Sequence, residues 1–438
     1  MGTPDTPAQT LQTPPMPQTL AQKLIARAAG VSAVREGDIV NCRVDLAMFH
    51  DSSGPRRLKP MLEELGAPIW DKSRVVLVMD HFVPEADEDA RRIVRIARDW
   101  AREQALPHVH DSQGICHVVL PQKGHLRPGM FCVGGDSHSP TGGAFGCYMF
   151  GIGSTEMLGV VVTGEIWLRV PHTIRMRWDG ALADGVCAKD MMLHMVGRFG
   201  MNGGGYQAIE FAGSTVRGLG IAERMTLSNM SAELGAQAGL IAPDATTAAW
   251  LREAGVDQGI GDDDLAQWQT DEGAAVTEHV FDAASLPPMV ASPHSPANSH
   301  PVGHTAGEAV QLAYIGACTG AKLEDLQAAA RVLRGRRVAD GVRLLVAPAS
   351  VHDQQQAERE GVADALRQSG AEFLPSACGA CAGYGQAVQG ATRVIATTAR
   401  NFKGRMGSAE AEVFLASPYT VAASALRGRI TDPREVLV

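Results

Sequence analysis

Apolar and polar positions alternate at helical spacing over residues 18–35, QTLAQKLIARAAGVSAVR, and predict an amphipathic helix. A strand-like stretch follows, GDIVNCRVDLAMFHD, then a helix over RRLKPMLEELG. The uninterrupted apolar run in SRVVLVMDH predicts a strand buried on both faces. EDARRIVRIARDWAREQ returns to helical spacing, and GICHVVL predicts the next strand. This alternation of strand and helix implies a parallel sheet covered by helices, with right-handed crossovers.

A glycine-dense segment runs from Gly134 to Met157. Beyond it, HTIRMRW and YQAIEFAG predict strands, and a helix is expected around NMSAELGAQAG. The polar stretch PHSPANSHPVGHTAGEA, from Pro293, predicts a linker. Alternation then resumes with a strand in AVQLAYIGAC, a helix in LEDLQAAARVLRG, a strand in VRLLVAPAS, a helix over 352–369 and a strand opening AEFLPSAC. No internal repeat has a fixed period. The expected division is a disordered tail over 1–17, α/β units over 18–175, 176–290 and 311–438, and a linker over 291–310.

Length and charge narrow the class. At roughly 150 residues per domain, 438 residues suit two or three domains. A formal net charge of −9 offers no general attraction for nucleic-acid phosphate. No run of about 20 apolar residues is present to span a membrane. The start, MGTPDTPAQTLQTPPMPQTL, lacks the basic and apolar regions of a secretory signal and has a disordered composition. Eight cysteines are too sparse for a disulfide framework, which argues for a reduced, cytoplasmic protein.

Candidate chemistry gathers on three of those cysteines. Cys378 and Cys381 form a C-x-x-C just after a predicted strand, and Cys318 ends another strand. Carboxyl ends of parallel strands are where α/β folds build sites. Three thiolates can hold an iron–sulfur cubane and leave one iron open to a ligand. A bare C-x-x-C also suits a redox dithiol, and a zinc site is a further option, although no fourth zinc ligand is evident.

Longer blocks surround these cysteines. VMDH at 78–81, GDSHSPTGGAFG at 135–146, GIGSTE at 151–156, MTLSNMSAELGA at 225–236, ACTGAKLEDLQAAA at 317–330, CGAC at 378–381 and ARNFKGRMG at 399–407 occur in that order. Together they resemble the aconitase superfamily, in its two-subunit branch of 3-isopropylmalate dehydratase large subunits. The resemblance runs from about residue 20 to the C-terminus. It implies three α/β/α units with mostly parallel sheets around a central Fe–S cleft. It further implies a [4Fe–4S] cluster on Cys318, Cys378 and Cys381.

Roles follow from the same resemblance. Asp80 and His81 match an Asp–His pair that protonates a departing hydroxyl, and Asp136 and His138 match a second pair. His117 and Glu233 match catalytic positions, and Ser137, Asn229 and His50 match positions that contact substrate or cluster. Arg400 and Arg405 match carboxylate-binding arginines, a task suited to the planar guanidinium fork.

The chain departs from the family pattern at two places. Gly320 stands where Cys-Thr-Asn is usual, and Ala399 replaces the asparagine before Arg400. Both changes are expected to alter cluster potential and stability, as in a paralogue with shifted properties. The chain ends soon after the arginine block, so the family's fourth, swivel domain is expected on a separate small subunit that carries the serine base.

The function implied is a hydro-lyase acting on a small 2-hydroxy di- or tricarboxylate: isopropylmalate, citramalate, dimethylmalate, homoaconitate or maleate chemistry. An RNA-binding relative without the cluster, and a cluster-free scaffold, are the alternatives of another class.

Overall fold

The computed structural model describes residues 16–256, 261–384 and 387–437. The tail expected over 1–17 falls, for residues 1–15, outside the described residues.

The first sheet has five parallel strands in the order His108–Asp111, Val75–Met79, Leu46–His50, Phe131–Gly134, Tyr148–Gly151. Every residue of Leu46–His50 and Val75–Met79 is buried, as a strand covered on both faces requires. The helix Glu88–Glu103 packs on this sheet. Its apolar residues Ala90, Ile93, Val94, Ala97, Trp100 and Ala101 recur at helical spacing and are buried. Asp87 caps its first turn through the amide of Ala90 at 2.7 Å. Trp100 lies against Phe49 of the central strand, with ring centroids 5.6 Å apart.

Ile39–Arg43 and Glu165–Arg169 form a separate antiparallel ribbon. A four-stranded parallel sheet follows, ordered Ala238–Ile241, Ala208–Ala212, Thr173–Asp179, Thr277–Asp282. The last sheet has seven strands: Ser299–Pro301, Met289–Ala291, Glu412–Ala416, Arg393–Ala396, Leu312–Ile315, Arg343–Val346 and Ala371–Phe373. All of its pairings are parallel except those of Met289–Ala291.

Strand order reverses direction in each of the three larger sheets, and two of these reversals bear on the site. In the first sheet the chain leaves Leu46–His50 toward Val75–Met79 and later returns to its other flank as Phe131–Gly134. In the last sheet it leaves Leu312–Ile315 toward Arg343–Val346 and returns as Arg393–Ala396. Such switch points open a crevice beyond the carboxyl ends of the strands. His50 ends a strand of the first sheet, Asp80 and Asp136 follow strands of it, and Cys318, Cys378 and Arg400 follow strands of the last.

The two units meet closely. Ile115 donates its amide to Ala349 O at 2.8 Å and Val351 donates to Gln113 O at 3.0 Å. Gly114 lies between them at φ +122°, and a Cβ there would meet the Ser350 backbone at 2.4 Å. Only glycine allows this approach.

Four expectations are corrected. GICHVVL forms the helix Cys116–Gln122, not a strand. Its apolar residues are buried on every side, so periodicity carried no signal, and the preceding strand is the polar His108–Asp111. The helix near NMSAELGAQAG lies earlier, at Ile221–Met230, and Glu233 sits in the turn beyond it. The helix over 352–369 is two helices, Val351–Arg359 and Val362–Ser369, separated by Gly361 in the left-handed region. The stretch read as a linker supplies the edge strand Ser299–Pro301 and a helical turn, Val302–His304.

No helix among the described residues is long and apolar enough to cross a membrane. All eight cysteines are free.

Asp353 supports the junction between units. Its carboxylate accepts from Ser350 Oγ at 2.9 Å and from Gln122 Nε2 at 3.0 Å. Burial pushes it up to about 7. The fold therefore binds this proton more tightly than the unfolded chain does. Stability from Asp353 is full below the ordinary carboxylate range and is lost as pH rises through about 7. Asp353→Asn is expected to gain stability over the wild type between about pH 5 and about pH 8. Urea unfolding at the two pH values checks this; a constant difference would contradict it.

Candidate active site

The carboxyl ends of the two sheets enclose a cavity of about 430 Å³, within the range of small-molecule sites. Its wall includes His50, His81, His117, Asp136, Ser137, His138, Cys318, Cys378, Cys381, Arg400 and Arg405. Of the residues expected from sequence, Asp80, Asn229 and Glu233 do not line it. All three are fully buried and bonded to residues that do.

Asp80 follows Val75–Met79 directly. Its Oδ1 accepts from His81 Nδ1 at 2.7 Å, and its Oδ2 accepts from the amide of Cys116 at 2.7 Å. That amide opens the helix Cys116–Gln122, whose N-terminus favours a carboxylate. Burial works against the Asp80 charge, but His81, His50 and the amide hold it down to about 2. Burial likewise disfavours the His81 imidazolium. Asp80, with Asp136 and Asp51 beyond it, outweighs burial and lifts His81 to about 9. With Nδ1 committed to Asp80, Nε2 is the atom left to move a proton.

His50 stacks on His81, with centroids 3.9 Å apart. Its Nδ1 accepts from the amides of Ser52 and Ser53, and its Nε2 lies 3.4 Å from Asp136 Oδ2. Asp136 accepts from His117 Nε2 at 2.8 Å and from the His138 amide at 2.7 Å. Burial opposes its charge, yet His117, His50 and His138 hold it well below the usual carboxylate range.

Glu233 Oε1 is shared by His138 Nε2 at 3.0 Å and Arg400 Nε at 2.7 Å. These two partners outweigh burial and lower it. Arg400 Nη1 also donates to Ser137 Oγ at 3.0 Å. Asn229, expected to contact substrate or cluster, stands behind the cysteines. Its Nδ2 donates to Cys318 Sγ at 3.1 Å and to Thr141 Oγ1 at 2.8 Å.

The three thiols share the cavity. The neighbouring Cys378 thiol, helped by Arg405, outweighs burial and lowers Cys381. Cys378 is correspondingly raised. Burial pushes Cys318 up to about 12, with Cys381 adding to it and Asn229 opposing. Cys318 stands after a tight turn in which Ala317 takes φ +69°, a conformation that non-glycine residues hold only when their surroundings enforce it.

Sequence reading passed over several residues here. Asp51 is fully buried and accepts from the amides of His81 at 3.1 Å and Phe82 at 2.8 Å, fixing the loop that carries the Asp80–His81 pair. The adjacent His50-Asp51 pair, mirroring Asp80-His81, was its available signal. Arg57 and Tyr384 also line the cavity. Lys189 and Lys322 are buried next to the Cys318 turn.

An imidazole–carboxylate set and three thiols facing one cavity suit proton transfer, and the thiols could offer sulfur ligands to a metal. The model of the aconitase family (aconitate hydratase) matches residues 22–309 and 302–428. A 3-isopropylmalate dehydratase large subunit 1 of Methanopyrus kandleri is 43% identical over 428 residues, covering 96% of this chain and all of that one. A 3-isopropylmalate dehydratase large subunit of Desulfatibacillum aliphaticivorans is 39% identical, covering 96% of this chain and all of that one. A probable methanogen homoaconitase large subunit of Methanothermobacter thermautotrophicus is 38% identical, covering 95% and 97%. In fold, the chain is similar to aconitase X of Thermococcus kodakaraensis in its holo-form, with TM-score 0.50 at 11% identity over 85% of this chain and 88% of that one. The chain belongs to the aconitase family of hydro-lyases.

Gly320 has a structural reason. A Cβ at 320 would meet Thr397 Cβ at 2.2 Å. Thr397 cannot yield, because its hydroxyl is bonded to Gly316 N and O, each at 2.8 Å. Asparagine at 320 therefore requires a smaller residue at 397. Gly320→Asn is expected to cost about 1–3 kcal/mol, as overpacking does, and Thr397→Gly in the same chain to recover part of it. Thermal unfolding of the single and double variants checks this, and additive losses would contradict it.

Proposed function

We propose that this chain is the cluster-bearing large subunit of a two-subunit hydro-lyase that removes water from, and returns it to, a small 2-hydroxy di- or tricarboxylate of the 3-isopropylmalate or homoaconitate type. One observation carries the reading: Cys318, Cys378 and Cys381 face a single cavity with His81 and Arg405. The names of the relatives support both the two-subunit arrangement and the substrate class.

The residues fit a [4Fe–4S] cluster. Three thiols are present with one already drawn toward thiolate, and Asn229 supplies an amide donor to sulfur. A buried donor on the cavity wall, Arg405 Nε, has no partner among the described residues, as expected of a group that completes its bonding to a bound group. When bound, the cluster supplies a Lewis-acidic iron corner to the substrate hydroxyl and carboxylate.

The chain's own residues do the rest. His81, kept protonated by Asp80, gives its Nε2 proton to the departing hydroxyl. Arg405 binds a substrate carboxylate through its fork. Arg400, held by Glu233 and Ser137, offers its remaining Nη2 edge to a second carboxylate. Arg57 at the mouth adds positive charge for an anionic substrate. His50, His117 and His138 form with Asp136 and Glu233 a relay that orients protons around the cavity. The base that removes the C–H proton comes from the small subunit.

Anaerobically purified wild type is expected to contain iron and sulfide in the ratio of a [4Fe–4S] cluster. Cys378→Ala should lose both, together with hydro-lyase activity in the complex with its small subunit. Full activity in this variant, or iron-free wild type that binds RNA in a salt-dependent manner, would overturn the reading. Asp80→Asn is expected to lower kcat roughly 10- to 100-fold with little change in KM. Steady-state kinetics measures this, and an unchanged kcat would remove His81 from the acid role.

A further inference from the structure

Lys189 lies in the first turn of the helix Ala188–Phe199 and is 1% exposed. Its ammonium donates to Thr398 O at 2.7 Å, Thr397 O at 3.0 Å and Thr319 Oγ1 at 3.3 Å. All three acceptors are neutral. Among the described residues, no carboxylate lies within ion-pair distance of it. The neighbouring buried Lys322 differs, because it pairs with Asp325 at 2.8 Å while also donating to Cys318 O at 3.0 Å.

A buried charge without a counter-charge is costly, and dipolar acceptors only partly offset it. Burial lowers Lys189 to about 8, against the opposing pull of Glu233, Cys318 and Cys381. Glu233 is already shared between His138 and Arg400. That leaves the thiolates as the charge Lys189 is placed to balance. The acceptors point the same way. Thr319 follows Cys318, and Thr397 and Thr398 precede Arg400, so the ammonium ties the cysteine turn to the arginine loop. Gly320 and Ala399, beside these contacts, offer no polar side chain of their own.

We infer that Lys189 is the buried counter-charge of the three-cysteine centre, a positioning residue that holds the Cys318 turn against the Thr397–Arg400 loop and stabilises the negative charge of the thiolate-held cluster. This rests on the cluster reading above. A nearby cation favours the more negative, reduced state of a cluster, so removing it moves the midpoint potential to more negative values.

The test uses the full chain, reconstituted anaerobically with iron and sulfide, as wild type, Lys189→Met and Lys189→Gln. Lys189→Met keeps the apolar stem, and Lys189→Gln keeps a hydrogen-bond donor without the charge. Both variants are expected to show a more negative cluster potential and several-fold faster iron loss in air. Apo Lys189→Met should unfold no earlier than apo wild type, while the cluster-loaded variant loses stability. Unchanged potential and iron retention in the variants would overturn the assignment. So would equal destabilisation of apo and loaded Lys189→Met, or wild-type potential in Lys189→Gln, since these mark a purely structural role. If Lys189→Met does not fold, Lys189→Gln carries the potential and iron-loss readings alone. A wild type that takes up no cluster would instead overturn the reading on which the assignment rests.

Discussion

Seven groups able to carry negative charge, Asp51, Asp80, Asp136, Glu233, Cys318, Cys378 and Cys381, are buried or nearly so around one cavity of about 430 Å³. Like charges in a poorly solvated space raise one another's pKa and destabilise the fold unless each is answered. Most of the polar architecture of the site is that answer. Asp80 is met by His81 and a helix N-terminus, Asp136 by three histidines, and Glu233 by His138 and Arg400. Asp51 is met by His81, the Phe82 amide and His50, and remains raised by burial and by the nearby Asp80 charge. The thiols are met by Asn229, Arg405 and the buried lysines.

This balance has a chemical result. Residues that neutralise buried carboxylates are also fixed in orientation by them. His81 has Nδ1 bonded and Nε2 turned to the cavity, and Arg400 has its Nε and one Nη spent on Glu233 and Ser137. Preorganised groups cost little reorganisation when a substrate arrives. Electrostatic compensation and catalytic geometry are here two consequences of the same contacts.

The fold supplies the meeting place. The first and last sheets each reverse winding direction beside the cavity, and the two reversals bring His50 and Asp136 from one sheet near Cys318 and Arg400 from the other. Elements that hold the units together lie close to the chemistry. Gly114 passes against Ser350 on the approach to the helix whose first amide binds Asp80. Thr397 fills the space above Gly320 while bonding the turn before Cys318. Packing changes at these points therefore reach the site within a few bonds.

The sequence by itself determined the strand–helix alternation, the parallel sheets and the residues of the cysteine, histidine and arginine blocks. Those features are local: apolar runs, helical spacing and short spacings between chemically distinctive residues. It could not tell that GICHVVL is a helix, because a segment buried on all sides has no amphipathic period. Nor could it show that Asn229 stands behind Cys318, that Asp51 braces His81, or that Gly320 is dictated by Thr397. These depend on which residues distant in the chain come within a few ångströms. Lys189 is the clearest case. In sequence it is an ordinary helix lysine, and only tertiary burial without a carboxylate partner, against the turn that carries Cys318, gives its charge a role.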